Sequence, residues 1–476
     1  MQTGRLQRLE GFLRSVTPAL ALRLAQAIEA DRVSGGALPH DAIMGALRPR
    51  LREAHQRLAR IAPPQRLVCA AFEDLLVGAR LRKQRGRIAR SSIAPVWTWL
   101  TTGLLKPEEL EWLNKIRDRL LSSGAEYADR EVAAFQQAAA AALLAQVPSG
   151  EANDPRNGAA AKILGGIEVA LDAHDMARML EIGPQVLKMQ REFPQPMHTL
   201  HETDIVSIRA TWERIVEEHP DCAAYVAFMI LGRLERPWEV LRLAGALSRK
   251  LDDVLVSRTD AGFVGDLLLS DLEDCVARLA AMRGDQMEPN AVLANVETFA
   301  RTSTGMVREL GIKRDGIWGK RMMTARAGMA DAMERFLGRA TKEIVATLPM
   351  TRKGGFGLRA VGQMPDFTKR LDPQKAKRAI DLATLIAGSR PHAMAGAFAG
   401  QLSEIEEPVA HRLRHFTTEM FDELRKLDPA QRVQADALIE HATRLSTILL
   451  GAEEGELVRR RVAAAQPDTA AETLVA

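Results

Sequence analysis

The segment 372-DPQKAKRAIDLATLIAG-388 decides the fold of this chain, because it carries a helix start, an apolar helical repeat and a helix stop in one run. Its aspartate can accept hydrogen bonds from the first free backbone N–H groups, and proline is well tolerated in a first helical turn. Its closing glycine favours the backbone conformation in which helices end. The segment 428-DPAQRVQADALIEHATRLSTILLG-451 has the same design. Each segment therefore predicts one helix.

Amphipathic helices are predicted elsewhere in the chain from apolar residues that recur every three or four positions. One such run predicts a helix that begins at Pro408, with an apolar face made of Val409, Leu413, Phe416, Met420, Leu424 and Leu427. Shorter runs predict helices over 205–215 and 268–279. A long helix is predicted from Trp318 to Ile344, and we assign its methionine-rich stripe to the protein core.

The composition favours helices over strands throughout. Aromatic residues make up only 4% of the chain, and no alternating strand pattern between hairpin turns is found. We therefore predict an all-α fold, a multi-domain bundle of amphipathic helices. Helical hairpins or a solenoid in part of the chain remain an alternative, because residues 222–250 have a faint repeat-like pattern without a second copy.

The domain organisation follows from length and from two stretches without helical period. A chain of 476 residues predicts two to four domains. The polar stretch 147–158 contains proline and glycine and predicts a linker, and 349–371 is too long for an ordinary connection. The predicted organisation is an N-terminal basic helical domain 1–146, the linker 147–158, a central helical domain 159–348, a basic glycine-containing loop 349–371, a C-terminal helical bundle 372–452 and a flexible tail 453–476.

The charge of the chain changes sign from block to block. The net charge is +4 overall, but it is +8 for residues 1–150, −10 for 151–300, +11 for 301–400 and −5 for 401–476. Blocks of opposite sign can attract each other in the folded molecule, or can present separate faces to partners. Solvated surfaces of successive domains remain the alternative.

Several classes of protein are excluded on composition. Three cysteines do not support a disulfide scaffold or a cysteine-only zinc site. No secretory signal is recognised, and the longest apolar stretch is shorter than the roughly 20 residues that a membrane-spanning helix needs. We therefore expect a cytoplasmic protein without a transmembrane segment.

No motif in the sequence identifies an enzyme. The run KGGFG at 353–357 lacks the Gly-Lys-Ser/Thr ending of a phosphate-binding loop and follows no predicted strand. A nucleophile elbow and an activated cysteine are likewise not recognised. We predict no cofactor and no catalytic residue, and a helical enzyme whose site is assembled from distant residues remains an alternative.

Two groups of residues resemble metal ligands. His198 and His201 precede His219 and Cys222, but the predicted helix between the pairs would hold them about 22 Å apart, too far for one ion. His411 and His415 lie four residues apart on a predicted solvent-facing side, between arginines that disfavour a dication. No metal site is therefore predicted.

The strongest local signal is the basic run 80-RLRKQRGRIAR-90. Its candidate anion-binding residues are Arg80, Arg82, Lys83, Arg85, Arg87 and Arg90, and a secondary basic loop contributes Arg352, Lys353, Arg359, Lys369 and Arg370. On a helix, four of the first set would share one face, and Trp97 and Trp99 follow closely, as in surfaces that bind nucleic acid. Alternatively, the arginine stems cover apolar surface, or the cations pair with the acidic block 151–300.

The sequence thus predicts a non-enzymatic helical interaction protein, an adaptor or regulatory scaffold that binds a protein partner through helical surfaces and basic segments. A nucleic-acid-associated protein that uses Arg80–Arg90, with help from 353–377, is the first alternative. An anionic surface such as a membrane lipid is a further partner that this charge pattern permits.

Overall fold

The computed structural model describes residues 11–13, 15–53, 63–122, 128–248, 256–257, 259, 262–283, 287–352, 362–427 and 429–465. Within these residues the protein has twenty helices and four short strands, and no closed sheet. The predicted all-α fold is confirmed.

The chain divides into two compact units, Met1–Arg249 and Lys250–Ala476. The stretch 147–158, which its composition predicts to be a linker, lies inside the first unit. The side chain of Asn157 is buried there and donates hydrogen bonds to two carbonyls of the same stretch, at 2.8 and 3.1 Å. The polar stretch therefore does not coincide with the division between the two units.

The first unit is built from helices and one pair of two-residue parallel strands, β1 (Leu76–Val77) and β2 (Ile88–Ala89). Its described helices are, in chain order, α1 (Pro18–Val33), α2 (His40–Glu53), α3 (Pro64–Cys69), α4 (Ile93–Trp99), α5 (Pro107–Ser122), α6 (Asp129–Gln146), α7 (Gly158–Leu164), α8 (Ile167–Glu181), α9 (Gly183–Glu192), α10 (Glu202–Glu218), α11 (Ala223–Arg233) and α12 (Val240–Ser248). The helix predicted over 205–215 is therefore confirmed as part of α10.

Helix α8 positions the site described below. It packs against α6, α7, β2 and the 3₁₀ segment Ala70–Leu75, so that almost every residue from Ala170 to Leu180 is buried. A helix that is covered on nearly all sides must also bury its polar residues. In α8 these are Asp172, His174 and Asp175, and a buried carboxylate requires donors or cations close by.

The second unit contains the antiparallel strands β3 (Met350–Arg352) and β4 (Gln363–Pro365) among its helices. Its described helices are α13 (Phe263–Ala281), α14 (Pro289–Leu310), α15 (Ile317–Leu337), α16 (Ala340–Ala346), α17 (Pro373–Ser389), α18 (Ala399–Leu424), α19 (Pro429–Leu449) and α20 (Ala452–Ala465). The carboxylate of Asp372 accepts a hydrogen bond from the Gln374 N–H at 2.8 Å, which confirms the predicted helix start.

Three predicted boundaries in the second unit are wrong. Helix α18 begins at Ala399 and runs through Pro408, because Leu402 lies seven residues before Val409 and extends the same buried face. The helix predicted from Trp318 is divided near Gly338 into α15 and α16, although one buried stripe continues through both. The start of the predicted flexible tail is helix α20, which buries Val458, and residues 466–476 lie outside the described residues.

A buried histidine in the second unit is held in its neutral form. Burial, with a contribution from Arg444, lowers the pKa of His441 to about 4. The Nε2 of this ring lies 2.9 Å from the Thr347 hydroxyl, which itself donates to the Ile344 carbonyl at 2.7 Å. The hydroxyl oxygen therefore accepts, and the ring nitrogen donates.

The stability of the protein is expected to fall in acid partly through this histidine. The unfolded chain takes up the proton near pH 6.5, whereas the folded chain takes it up only near pH 4. Protonation between these values favours unfolding. The contribution of the neutral His441 to the free energy of unfolding is therefore complete above pH 6.5 and is lost as the pH falls to 4. His441→Gln keeps a donor toward Thr347 and cannot titrate. We expect it to remove about 2 kcal/mol of the stability loss between pH 7 and pH 5.

Urea unfolding of the full chain at both pH values measures this difference. His411→Gln, the same substitution at an exposed histidine, is measured in parallel as the control. An equal loss of stability in the parent and in His441→Gln would contradict the prediction.

Candidate binding site

The basic loop, residues 78–90, follows β1 and includes β2 near its end, and its residues 78–87 are not helical. It consists of bends and turns, and Gly86 within it has a φ of +76°. The prediction that Arg80, Lys83, Arg87 and Arg90 share one helical face is therefore wrong. The segment keeps this loop conformation because two aspartates of α8, Asp172 and Asp175, bind it at several points.

Asp172 fastens both ends of the basic loop. Its Oδ1 receives the Arg80 guanidinium at 2.7 Å and the Lys83 ammonium at 2.8 Å. Its Oδ2 receives the Ser92 hydroxyl at 2.6 Å and the Ala89 N–H at 3.2 Å. The side chain is fully buried, and both of its oxygens are satisfied by groups of the loop and its flank.

Asp175, one helical turn further along α8, fastens the middle of the loop. Its Oδ2 accepts hydrogen bonds from the Lys83 ammonium and from the Gly86 N–H, the latter at 3.0 Å. Its Oδ1 accepts the Tyr225 hydroxyl at 2.6 Å. Burial raises the pKa of Tyr225 well above its usual value, so this phenol stays protonated and remains a donor.

The four charged side chains form a neutral cluster of two carboxylates and two cations. Arg80 and Lys83 are 11% and 10% exposed, and both also donate to the Arg87 carbonyl, at 3.0 and 2.9 Å. These two cations therefore lie against acidic residues of the 151–300 block and do not face solvent.

The two carboxylates of this cluster are not among the site residues predicted from the sequence. Asp172 and Asp175 lie three residues apart in the run IEVALDAHDMARMLE, whose other positions are mostly apolar. Two acids on the apolar side of a helix indicate buried ion pairs, because such groups are buried only with partners. That signal was available in the sequence, although it does not name the cations that pair with them.

The basic loop also has exposed cations and one exposed apolar residue. Arg82, Arg85 and Arg90 are exposed, and Leu81 is 53% exposed. Arg85 also lies over the ring of Tyr225, with its guanidinium carbon 5.4 Å from the ring centre.

The two tryptophans that follow the loop do not form an open stacking surface. Trp97 packs against Phe135 with ring centres 5.7 Å apart, and it borders an interior void. Trp99 is half-buried on the same short helix, α4, beside Gly103.

The secondary basic candidates lie in the second unit. Arg352 ends strand β3, and Lys369 and Arg370 follow strand β4, all three with exposed side chains. Lys353 and Arg359 lie outside the described residues, as does the whole KGGFG run. The structure thus places the described secondary candidates around one small antiparallel sheet.

Three of the candidate metal ligands form contacts with glutamate side chains. His198 pairs with Glu235 at 2.6 Å, whereas His219 and Cys222 both contact Glu181 at the other end of α10. In the part of the chain that the structure describes, no three His, Cys, Asp or Glu side chains form a group that could hold a metal ion.

The thiols of the protein are poorly suited to act as nucleophiles. Burial raises the pKa of Cys69 to about 12 and also raises the pKa values of Cys222 and Cys275. A thiol with a raised pKa carries little of the reactive thiolate at neutral pH.

None of the helices that the structure describes combines the length and the apolar character that a membrane span requires. No family model, curated protein or solved structure matches the chain. The functional argument therefore depends on the geometry of the basic loop and its surroundings.

Proposed function

We propose that this chain is a helical interaction protein, an adaptor or regulatory scaffold, and that it binds an acidic protein partner through the basic loop. The observation that supports this proposal is the anchoring of the loop by Asp172 and Asp175. A loop held in place by buried hydrogen bonds loses little conformational entropy when a partner binds. Its outward arginines are therefore presented in a fixed arrangement.

The outward chemistry of the loop favours a protein over other acidic partners. Leu81 is an exposed apolar side chain next to the exposed Arg82, and apolar contact beside arginine is typical of protein interfaces. Arg82 and Arg85 would meet carboxylates of the partner, since guanidinium and carboxylate groups match in shape and charge.

A nucleic-acid partner is the second candidate, and the arginine content of the loop is the observation in its favour. Two features make nucleic acid a weaker candidate than an acidic protein. Arg80 and Lys83 are engaged with buried carboxylates, and Trp97 packs against Phe135, so fewer phosphate contacts and less base stacking are offered.

The proposal is tested with the full chain and a fluorescent poly-L-glutamate probe, with a 20-base-pair DNA duplex in parallel. Arg82→Gln combined with Arg85→Gln should weaken binding of polyglutamate by about tenfold, because two charged contacts are lost. Leu81→Ser should weaken it further. Fluorescence anisotropy measures binding, and circular dichroism checks that the helical signal is retained.

A matched control carries the same change in net charge. Arg23 and Arg130 are exposed arginines of the first unit outside the basic loop, and replacing both with Gln should leave polyglutamate binding within about twofold of the parent. Equal effects of the two double variants would overturn the proposal. Preferential DNA binding whose salt dependence flattens by about 2 units in the Arg82/Arg85 variant would replace it with the nucleic-acid candidate.

A further inference from the structure

An open pocket of about 330 Å³ lies beside the basic loop in the first unit. Its polar lining consists of Gln65 and Arg66 from α3, Glu73 from the following 3₁₀ segment, and Arg90 from the end of the loop. Its apolar lining includes Cys69 and Ile93. The volume lies at the lower end of the range of pockets that hold small molecules.

The two arginines of this pocket are available to a ligand. Arg66 and Arg90 are both exposed, and neither side chain forms an ion pair or hydrogen bond within the part of the chain that the structure describes. Glu73 also borders the pocket, so the lining carries one net positive charge. Two guanidinium groups beside an amide are suited to a carboxylate or a phosphate, since both present several acceptor oxygens.

The wall of the pocket leads to an apolar interior. Cys69 and Ile93 border the pocket on one side and, on the other, a void of about 20 Å³. The remaining lining of this void is apolar and includes Trp97 and Leu100. Leu100 begins a π-helical turn, Leu100–Leu104, and such turns occur frequently at functional sites.

We propose that this pocket binds a small organic anion, a carboxylate or phosphate monoester carried on a compact apolar group. The anionic head lies between Arg66 and Arg90, and the apolar body lies against Cys69 and Ile93. This site goes beyond the interaction surface of the basic loop. It shares only Arg90 with that surface, and its ligand is a small molecule and not a protein.

The test is isothermal titration calorimetry of the full chain with benzoate, phenyl phosphate and inorganic phosphate. The aromatic anions should bind at least about tenfold more tightly than inorganic phosphate, because only they cover the apolar wall. Arg66→Gln and Arg90→Gln should each weaken phenyl phosphate binding by about tenfold or more. Glu73→Gln should tighten it, because it removes the negative charge that repels the ligand.

Arg130→Gln is the matched control and should not change the affinity. Failure of both aromatic anions to bind would overturn the proposal, as would equal affinities for phenyl phosphate and inorganic phosphate. Affinities in Arg66→Gln and Arg90→Gln equal to that of Arg130→Gln would overturn it as well. Because the polyglutamate test uses Arg82 and Arg85, failure at this pocket is distinguishable from failure of the proposed function.

Discussion

Asp172→Asn is expected to lower the free energy of unfolding by about 3–5 kcal/mol. In the folded protein this carboxylate balances Arg80 and Lys83, which are 11% and 10% exposed. After the substitution, Lys83 keeps Asp175 as its partner, whereas Arg80 keeps only the longer pair with the exposed Glu168, at 3.6 Å. An uncompensated charge at a largely buried position is strongly destabilising. Urea unfolding of the full chain, followed by circular dichroism, measures the loss.

The same arginine provides a matched control for this prediction. Glu168 also pairs with Arg80, at 3.6 Å, but the Glu168 side chain is 54% exposed. An exposed ion pair contributes about 0–1 kcal/mol, so Glu168→Gln should unfold almost as the parent does. Similar losses in the free energy of unfolding for Glu168→Gln and Asp172→Asn would contradict the prediction, because they would show that burial of an ion pair does not determine its contribution to stability.

A second substitution separates the loss of charge balance from the loss of hydrogen bonds. In Asp172→Asn with Arg80→Met, Lys83 and Asp175 remain as one neutral pair. We expect this double variant to be more stable than the sum of the two single losses implies, by more than about 1 kcal/mol. Strict additivity would mean that the hydrogen bonds to Ser92 and Ala89 account for the whole effect.

The fold could be predicted from the sequence where the signals are local. The N-cap at Asp372 and the buried face from Val409 to Leu424 depend on residues a few positions apart, and both are present in the structure. The prediction that this helix begins at Pro408 makes helix α18 too short, because the helix begins at Ala399. Proline removes one hydrogen bond from a helix interior, but a buried face that continues from Leu402 can offset this loss.

The candidate site could be predicted only in part, because its contacts join residues far apart in the sequence. The run of cations from Arg80 to Arg90 was identified by composition, yet Arg80 and Lys83 each meet a carboxylate 92 positions away. Charge counted along the chain cannot distinguish a cation that faces solvent from one that binds a buried aspartate. The pocket of Arg66 and Arg90 was missed for the same reason, since only the folded chain brings these residues together.

The role of Gly86 depends on whether its segment is a helix or a loop. In a helix this glycine would only weaken the segment. In the structure it turns the loop with a φ of +76° and brings its N–H within 3.0 Å of Asp175. A Cβ built at this position would lie 2.5 Å from the ring of Phe228, which is closer than real Cβ atoms approach.

Gly86→Ala is therefore expected to destabilise the protein by about 2–5 kcal/mol. The left-handed backbone conformation contributes about 1–2 kcal/mol of this loss, and the displacement of the Phe228 ring contributes about 1–3 kcal/mol. Gly78→Ala is the control in the same loop, because a Cβ at Gly78 meets nothing within 4 Å. That substitution should change stability by less than about 1 kcal/mol. Equal unfolding midpoints in urea for the two variants would mean that the stability of the loop does not depend on the turn at Gly86. A loss of stability in Gly86→Ala alone, together with weaker polyglutamate binding, would show that binding by the basic loop depends on the hydrogen bonds to Asp172 and Asp175.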